Sequence, residues 1–119
     1  AELVGVAIAN ADARRQLAAQ AASDPLTGLP NRRALEERLE EAVAAADAAG
    51  RPVSALVLDL DGFKQVNDGH GHQAGDALLR AVARTLEAGS RADDLAGRLG
   101  GEEFLVVLPG AGPKAAWLV

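Results

Sequence analysis

Two adjacent glycines, Gly100 and Gly101, stand just before the apolar run Phe104-Leu105-Val106-Val107-Leu108. Paired glycines supply the positive φ angles that a short hairpin turn demands. The sequence therefore predicts a hairpin in which Leu95–Leu99 pairs against Phe104–Leu108. Glu102 and Glu103 fall at its tip. Two adjacent carboxylates repel each other and cannot enter a core, and Asn-Gly or Asp-Gly would make a steadier turn. The pair is read as facing a cation or a phosphorylated ligand.

The rest of the chain can support such a site. It has 119 residues, 49% hydrophobic and 24% charged, enough for one globular domain with a real core. Aromatic residues are only 3%, so that core is built from Ala, Leu and Val. The net charge of −5 argues against a nucleic-acid partner, because no basic surface is available to neutralise phosphates. A nucleotide held through a divalent metal is compatible with it. The absence of Cys excludes disulfides, thiolate zinc sites and cysteine nucleophiles. No apolar stretch is long enough to span a membrane, and there is no secretory signal at the start, so no membrane contact is expected from this segment. The chain begins Ala1-Glu2-Leu3 without Met and ends in Pro113-Lys114-Ala115-Ala116-Trp117-Leu118-Val119, which reads as the first turn of a helix. Both ends predict a fragment of a longer protein, whose location is expected to be cytoplasmic unless domains outside the fragment anchor it to a membrane.

Residues 1–22 read as an Ala-rich helix from Glu2 to about Ala22, either a plain linker or a signalling coiled coil below an upstream sensor. Pro25, Gly28 and Pro30 break it. Asn31 has the chemistry to cap a second helix running to about Ala49, with Leu35, Leu39, Ala42, Val43 and Ala46 as its apolar face. Gly50 and Pro52 end it. Val53–Asp59 is a nearly continuous apolar run, which predicts a central strand covered on both faces. A loop or short helix spans Phe63 to His72, and an amphipathic helix from about Gly75 to Ala88 buries Leu78, Leu79, Val82 and Leu86. This order predicts an α/β (α+β) fold with helices packed on a mixed β-sheet.

Asp59 at a strand end is expected beside Glu102 at the hairpin tip. Two or three carboxylate oxygens, a backbone carbonyl and waters are what Mg²⁺ requires. Gly62-Phe63-Lys64 opens a helical turn whose N–H groups suit phosphates. Other chemistries fail on spacing. Asp59-Leu60-Asp61-Gly62-Phe63 departs from a calcium loop, His70 and His72 lack the zinc-site interval, and no P-loop or Gly-x-Ser-x-Gly run occurs. His72 is assigned a structural role.

Four segments together resemble the GGDEF domains, the diguanylate cyclases that condense two GTP into cyclic di-GMP. They are Asp24-Pro25-Leu26-Thr27-Gly28-Leu29-Pro30-Asn31-Arg32-Arg33, Asp59-Leu60-Asp61-Gly62-Phe63-Lys64-Gln65-Val66-Asn67-Asp68, Gly71-His72-Gln73-Ala74-Gly75-Asp76 and Gly100-Gly101-Glu102-Glu103-Phe104. The resemblance covers residues 23–119. The stretch Leu3–Ala11 also looks like the closing helix of a GAF sensor.

The resemblance implies a nucleotidyl-cyclase-like fold with the signature on a β-hairpin turn, and a magnesium- or manganese-dependent enzyme. It implies that Asp59, the Leu60 carbonyl, Glu102 and Glu103 serve the metal, and that Glu102 and Glu103 are catalytic, with Glu102 the candidate base for the ribose 3′-hydroxyl. Gly62, Phe63 and Lys64 would cradle phosphates at the substrate site, which includes Gly100 and Gly101. Asn67 and Asp76 would read guanine, a carboxylate accepting from the N1–H and N2–H₂ edge that adenine lacks. Without the resemblance, Asp76 would be read as an acid favoured by a helix N-terminus. Arg91 and Asp94 match the family's product-inhibition motif, with cyclic di-GMP as inhibitor. The active form implied is a homodimer, each partner presenting one GTP, and the family domain continues past Val119, so the fragment alone is expected to be inactive. Two other readings stay open: a non-catalytic cyclic di-GMP receptor, and a regulatory GTP-binding module of a larger sensor.

Overall fold

In the computed structural model the described residues are 21–112. The expected helix from Glu2 to Ala22, the GAF-like stretch Leu3–Ala11 and the helical turn after Pro113 lie outside them, apart from Ala21 and Ala22. Asn31 caps helix α1 (Arg32–Ala49), its side-chain oxygen accepting from the Ala34 amide at 3.0 Å. Gly50 closes that helix in the left-handed conformation, its amide donating to the Ala46 and Asp47 carbonyls. Strand β1 (Val53–Asp59) follows, then α2 (Phe63–His70), α3 (His72–Gly89), β2 (Leu95–Gly100) and β3 (Glu103–Pro109).

The strand order is β1-β3-β2, and both ladders are antiparallel. β1 and β2 therefore run in the same direction with β3 reversed between them. Among the described residues the sheet is wholly antiparallel rather than mixed. The α+β architecture and the hairpin turn carrying Gly100 and Gly101 are as expected.

β3 alternates its buried side chains between two helical layers. Leu105 and Val107 pack with Leu35, Leu39 and Ala42 of α1. Phe104 packs with Leu79 and Ala83 of α3, and Val106 and Leu108 pack with Leu86 on the same side. Phe104, Leu35 and Leu79 are fully buried, and each such side chain contributes roughly 1.5–3 kcal/mol.

Among the described strands the central one is β3. Among the described strands β1 is an edge, with Val57 64% exposed. A continuous apolar run reports composition, whereas the central position goes to the strand that can pair on both sides. β3 pairs with β2 through the tight turn and with β1 over seven residues in register. Val43 is likewise 48% exposed. Eight residues on from Leu35 it lies about 80° around the helix, off the stripe that Leu35, Leu39, Ala42 and Ala46 share. α3 begins at His72, three residues earlier than expected, with His72 exposed at its first position. Among the described residues no helix is long and apolar enough to cross a membrane.

Candidate functional site

The hairpin tip is built by Gly100 and Gly101, with φ of +150° and +46°. The ladder slips between Arg98 and Gly100, so that Gly100 stands opposite Glu103. β3 in turn places Glu103 opposite Asp59, and the Leu60 amide donates to the Glu102 carbonyl at 3.2 Å. The end of β1 is thereby stitched to the tip. The ladder and that backbone bond place Glu102 at the same sheet edge as Asp59, where two ionised carboxylates disfavour each other. Loss of solvent, then the charge and hydrogen bond of Asp59, then the charge of Glu103, push the Glu102 carboxyl above its usual range. Glu103 is exposed and faces Asp59 across the ladder, where like charges are unfavourable. The convergence expected from two separate strands is present.

Directly after Asp59, the Leu60 carbonyl accepts from the Phe63 amide at 3.4 Å, a long bond that leaves lone-pair capacity free. Gly62 stands at the N-cap of α2, followed by Phe63 and Lys64 in its first turn. Phe63 packs into the Phe104 cluster, whereas Gly62 and Lys64 are exposed. The Asn67 side-chain oxygen is buried with no hydrogen-bond partner. It lies against Gly75, where an added Cβ would fall 1.8 Å from it. Only glycine at 75 lets α3 approach Asn67 this closely. Asp76, the next residue, is half-buried in the second turn of α3, because the helix starts at His72. It is not a first-turn acid, so the helix-terminus explanation for it loses its basis.

Arg91 and Asp94 lie at the opposite end of β2 from the signature. The Asp94 carboxylate accepts from the Arg91 amide at 2.9 Å, and the Asp94 amide donates to the Arg91 carbonyl at 3.1 Å. This closes a turn that leaves the Arg91 side chain exposed. Both residues line an open groove of about 380 Å³ with Arg38, Glu87 and Ser90.

Sequence reasoning missed two residues near the tip. Arg98 donates to the Gly101 carbonyl from Nε at 3.1 Å and from Nη2 at 2.7 Å, and pairs with Asp24 through Nη1 at 3.2 Å. Burial alone would raise the Asp24 carboxyl. Hydrogen bonds from the Thr27 hydroxyl and amide, with the charge and hydrogen bond of Arg98, outweigh it and hold the group below its usual value. Asp24 and Arg98 are 74 positions apart, and no local spacing signals their meeting.

The donor set suits a hard divalent cation. No three His, Cys, Asp or Glu side chains converge among the described residues. The chain itself offers the Asp59 and Glu102 carboxylates with the Leu60 carbonyl nearby, a set that Mg²⁺ completes with water and phosphate oxygens.

The sequence model described as "Diguanylate cyclase, GGDEF domain" matches residues 21–118. The chain is 49% identical over 96 residues to diguanylate cyclase DgcP of Pseudomonas aeruginosa, a match covering 81% of this chain and 14% of that protein. It is also 49% identical over 89 residues to the response regulator PleD of Caulobacter vibrioides, covering 75% of this chain and 20% of PleD. It thus spans at most about a fifth of the length of these curated relatives. Among solved structures, the GGDEF domain of DgcB from Caulobacter crescentus in complex with c-di-GMP superposes with a TM-score of 0.77 at 38% identity, covering 81% of this chain and 55% of that one. The paired acids at the glycine turn, the residues 21–118 matched and this likeness of fold converge on one conclusion: the chain belongs to the GGDEF family of diguanylate cyclase domains.

Proposed function

We propose that the protein containing this chain condenses two GTP molecules into cyclic di-GMP with release of pyrophosphate, as a homodimer in which each partner presents one GTP. The observation that carries the proposal is the placing of Asp59 and Glu102 at one sheet edge by the β1–β3 ladder and the Leu60–Glu102 backbone bond. A divalent cation, Mg²⁺ or Mn²⁺, held by these carboxylates and the Leu60 carbonyl would neutralise triphosphate oxygens during attack at the α-phosphorus. Glu102, at the hairpin tip beside the cation, is placed to accept the proton of the attacking ribose 3′-hydroxyl. Each new O–P bond forms as one pyrophosphate leaves.

Glu103 adds negative charge beside the cation. Gly62, Phe63 and Lys64 receive phosphates at the start of α2, with Gly100 and Gly101 keeping the tip free of side chains. Asn67 and Asp76 read the guanine edge, and the unpartnered Asn67 oxygen is a buried acceptor that a ligand donor would satisfy. Arg91 is free to grip phosphate or base of the product, which makes this turn the site of feedback inhibition. Residues 23–119 belong to the cyclase domain, and residues 1–22 lie upstream of it as the segment that governs dimer approach.

The test is incubation of the full parent protein with GTP and Mg²⁺, reading cyclic di-GMP by chromatography, beside a Glu103→Ala control. Product from the parent, with a loss of about 10²-fold in the variant, is expected. No product from a folded parent that still binds cyclic di-GMP would replace this proposal with a receptor. The isolated 119 residues are expected to turn over GTP poorly or not at all, and robust synthesis by them would overturn that part.

A further inference from the structure

We propose that Arg98 is a positioning residue that sets Glu102 beside Asp59 and ties the hairpin tip to the turn preceding α1. The inference rests on the carboxylate pair being the cation site of the proposed cyclase. A single guanidinium does the work of three contacts. Nε and Nη2 converge on the Gly101 carbonyl, and Nη1 reaches the Asp24 carboxylate. The Arg98 amide also donates to the Pro30 carbonyl at 3.2 Å. The Arg98 and Asp24 side chains are only 16% and 15% exposed, so the pair is poorly screened by solvent.

The tip needs such an anchor. Two consecutive positive-φ glycines leave the chain free to swing, and the next residue is Glu102. Glu102 is flanked by the like charges of Asp59 and Glu103, which the β1–β3 ladder sets opposite each other. Holding the Gly101 carbonyl fixes the peptide plane that leads into Glu102, because that carbonyl and the Glu102 nitrogen share one planar unit.

The other end of the guanidinium is held just as firmly. Asp24 accepts from the Thr27 amide at 2.9 Å and hydroxyl at 2.7 Å, and Ser23 bridges to Pro30. Gly97 lets this turn lie against β2, since a Cβ there would fall 2.8 Å from the Leu35 methyls and 3.0 Å from the Pro30 carbonyl. A displacement of Asp24 therefore reaches the catalytic tip through one side chain. The segment entering α1 is part of the site.

Arg98→Lys and Asp24→Asn separate this role from simple stability. Lysine keeps a charge for Asp24 but cannot hold Asp24 and donate twice to Gly101 together. Two readouts apply to the protein carrying this chain. The first is hydrogen exchange at the Leu60 amide, which bonds to the Glu102 carbonyl and reports the tip without reference to any ligand. The second is Mn²⁺ affinity in the presence of GTP, by electron paramagnetic resonance. Arg98→Lys is expected to speed Leu60 exchange and weaken Mn²⁺ binding by about tenfold each, with Val106 and Val107 amides as protected as before. Asp24→Asn, which leaves the Gly101 bonds in place, is expected to shift both less. Unchanged Leu60 exchange in Arg98→Lys overturns the inference, as does an equal acceleration of Leu60, Val106 and Val107. If the unsubstituted protein binds no Mn²⁺–GTP, the proposed function fails, while Leu60 exchange still decides the role of Arg98.

Discussion

The two ends of β2 each carry acidic residues on a turn, yet in opposite electrostatic states. At its start, the Asp94 carboxylate is satisfied by the Arg91 amide, and the turn is complete without a ligand. At its end, Glu102 and Asp59 share one sheet edge, and loss of solvent followed by the charges of Asp59 and Glu103 drives Glu102 above its ordinary pKa. Arg98, the nearest arginine in the sequence, spends its donors on Gly101 and Asp24 instead. One end is a finished structure that offers a free guanidinium outward. The other is incomplete until positive charge arrives. The proposed function assigns catalysis to the end of β2 and regulation to its start, six residues of strand apart.

Substitutions at the catalytic end should have the largest effect. Asp59→Asn or Glu102→Gln in the parent protein is expected to lower cyclic di-GMP formation by about 10²–10³-fold, measured as initial rates at saturating GTP. If either variant keeps more than a tenth of the rate, the end is not dependent on both acids. Next comes packing. Gly75→Ala drives a methyl group into Asn67 and should cost about 1–3 kcal/mol in urea unfolding, with a raised KM for GTP. A fall in stability with KM unchanged would remove Asn67 from guanine recognition. At the other end, Arg91→Ala is expected to shift product inhibition to about tenfold higher cyclic di-GMP, a larger change than it makes in initial rate. Inhibition at the original concentration would mean that the free guanidinium binds nothing.

The smallest effect is on pH dependence, and its sign differs between the two acids. A carboxyl raised in the folded state penalises folding above its folded pKa, and the penalty fades as pH falls through that value. Glu102→Gln should therefore raise the thermal midpoint slightly at neutral pH, the gain vanishing in acid. Asp24 is lowered, so its contribution is present above the unfolded pKa and lost as pH falls through the folded one. Asp24→Asn should lower the midpoint at neutral pH and match the unsubstituted protein in strong acid.

Much of this molecule is legible in local sequence because local chemistry decides it. Asn31 and Gly50 bound α1 through caps made within a few residues. Gly100 and Gly101 force the hairpin, which fixes where Glu102 stands. The meeting of Asp59 and Glu102 follows from placing both at the same sheet edge. What was not legible depends on partners distant in sequence. The run Val53–Asp59 does not reveal that β3, not β1, has neighbours on both sides. Asp76 reads as a helix-end acid until the first residue of α3 is known. Nothing near Asp24 or Arg98 announces their ion pair, because only the packed turn against Gly97 brings them together.

The account depends on Asp59 and Glu102 holding one divalent cation with GTP, and Mn²⁺ binding measured by electron paramagnetic resonance reaches this directly. The unsubstituted protein with GTP is predicted to remove more free Mn²⁺ than GTP alone, and Asp59→Asn and Glu102→Gln each to weaken that binding at least tenfold while remaining folded. Equal Mn²⁺ affinity in all three proteins would contradict it.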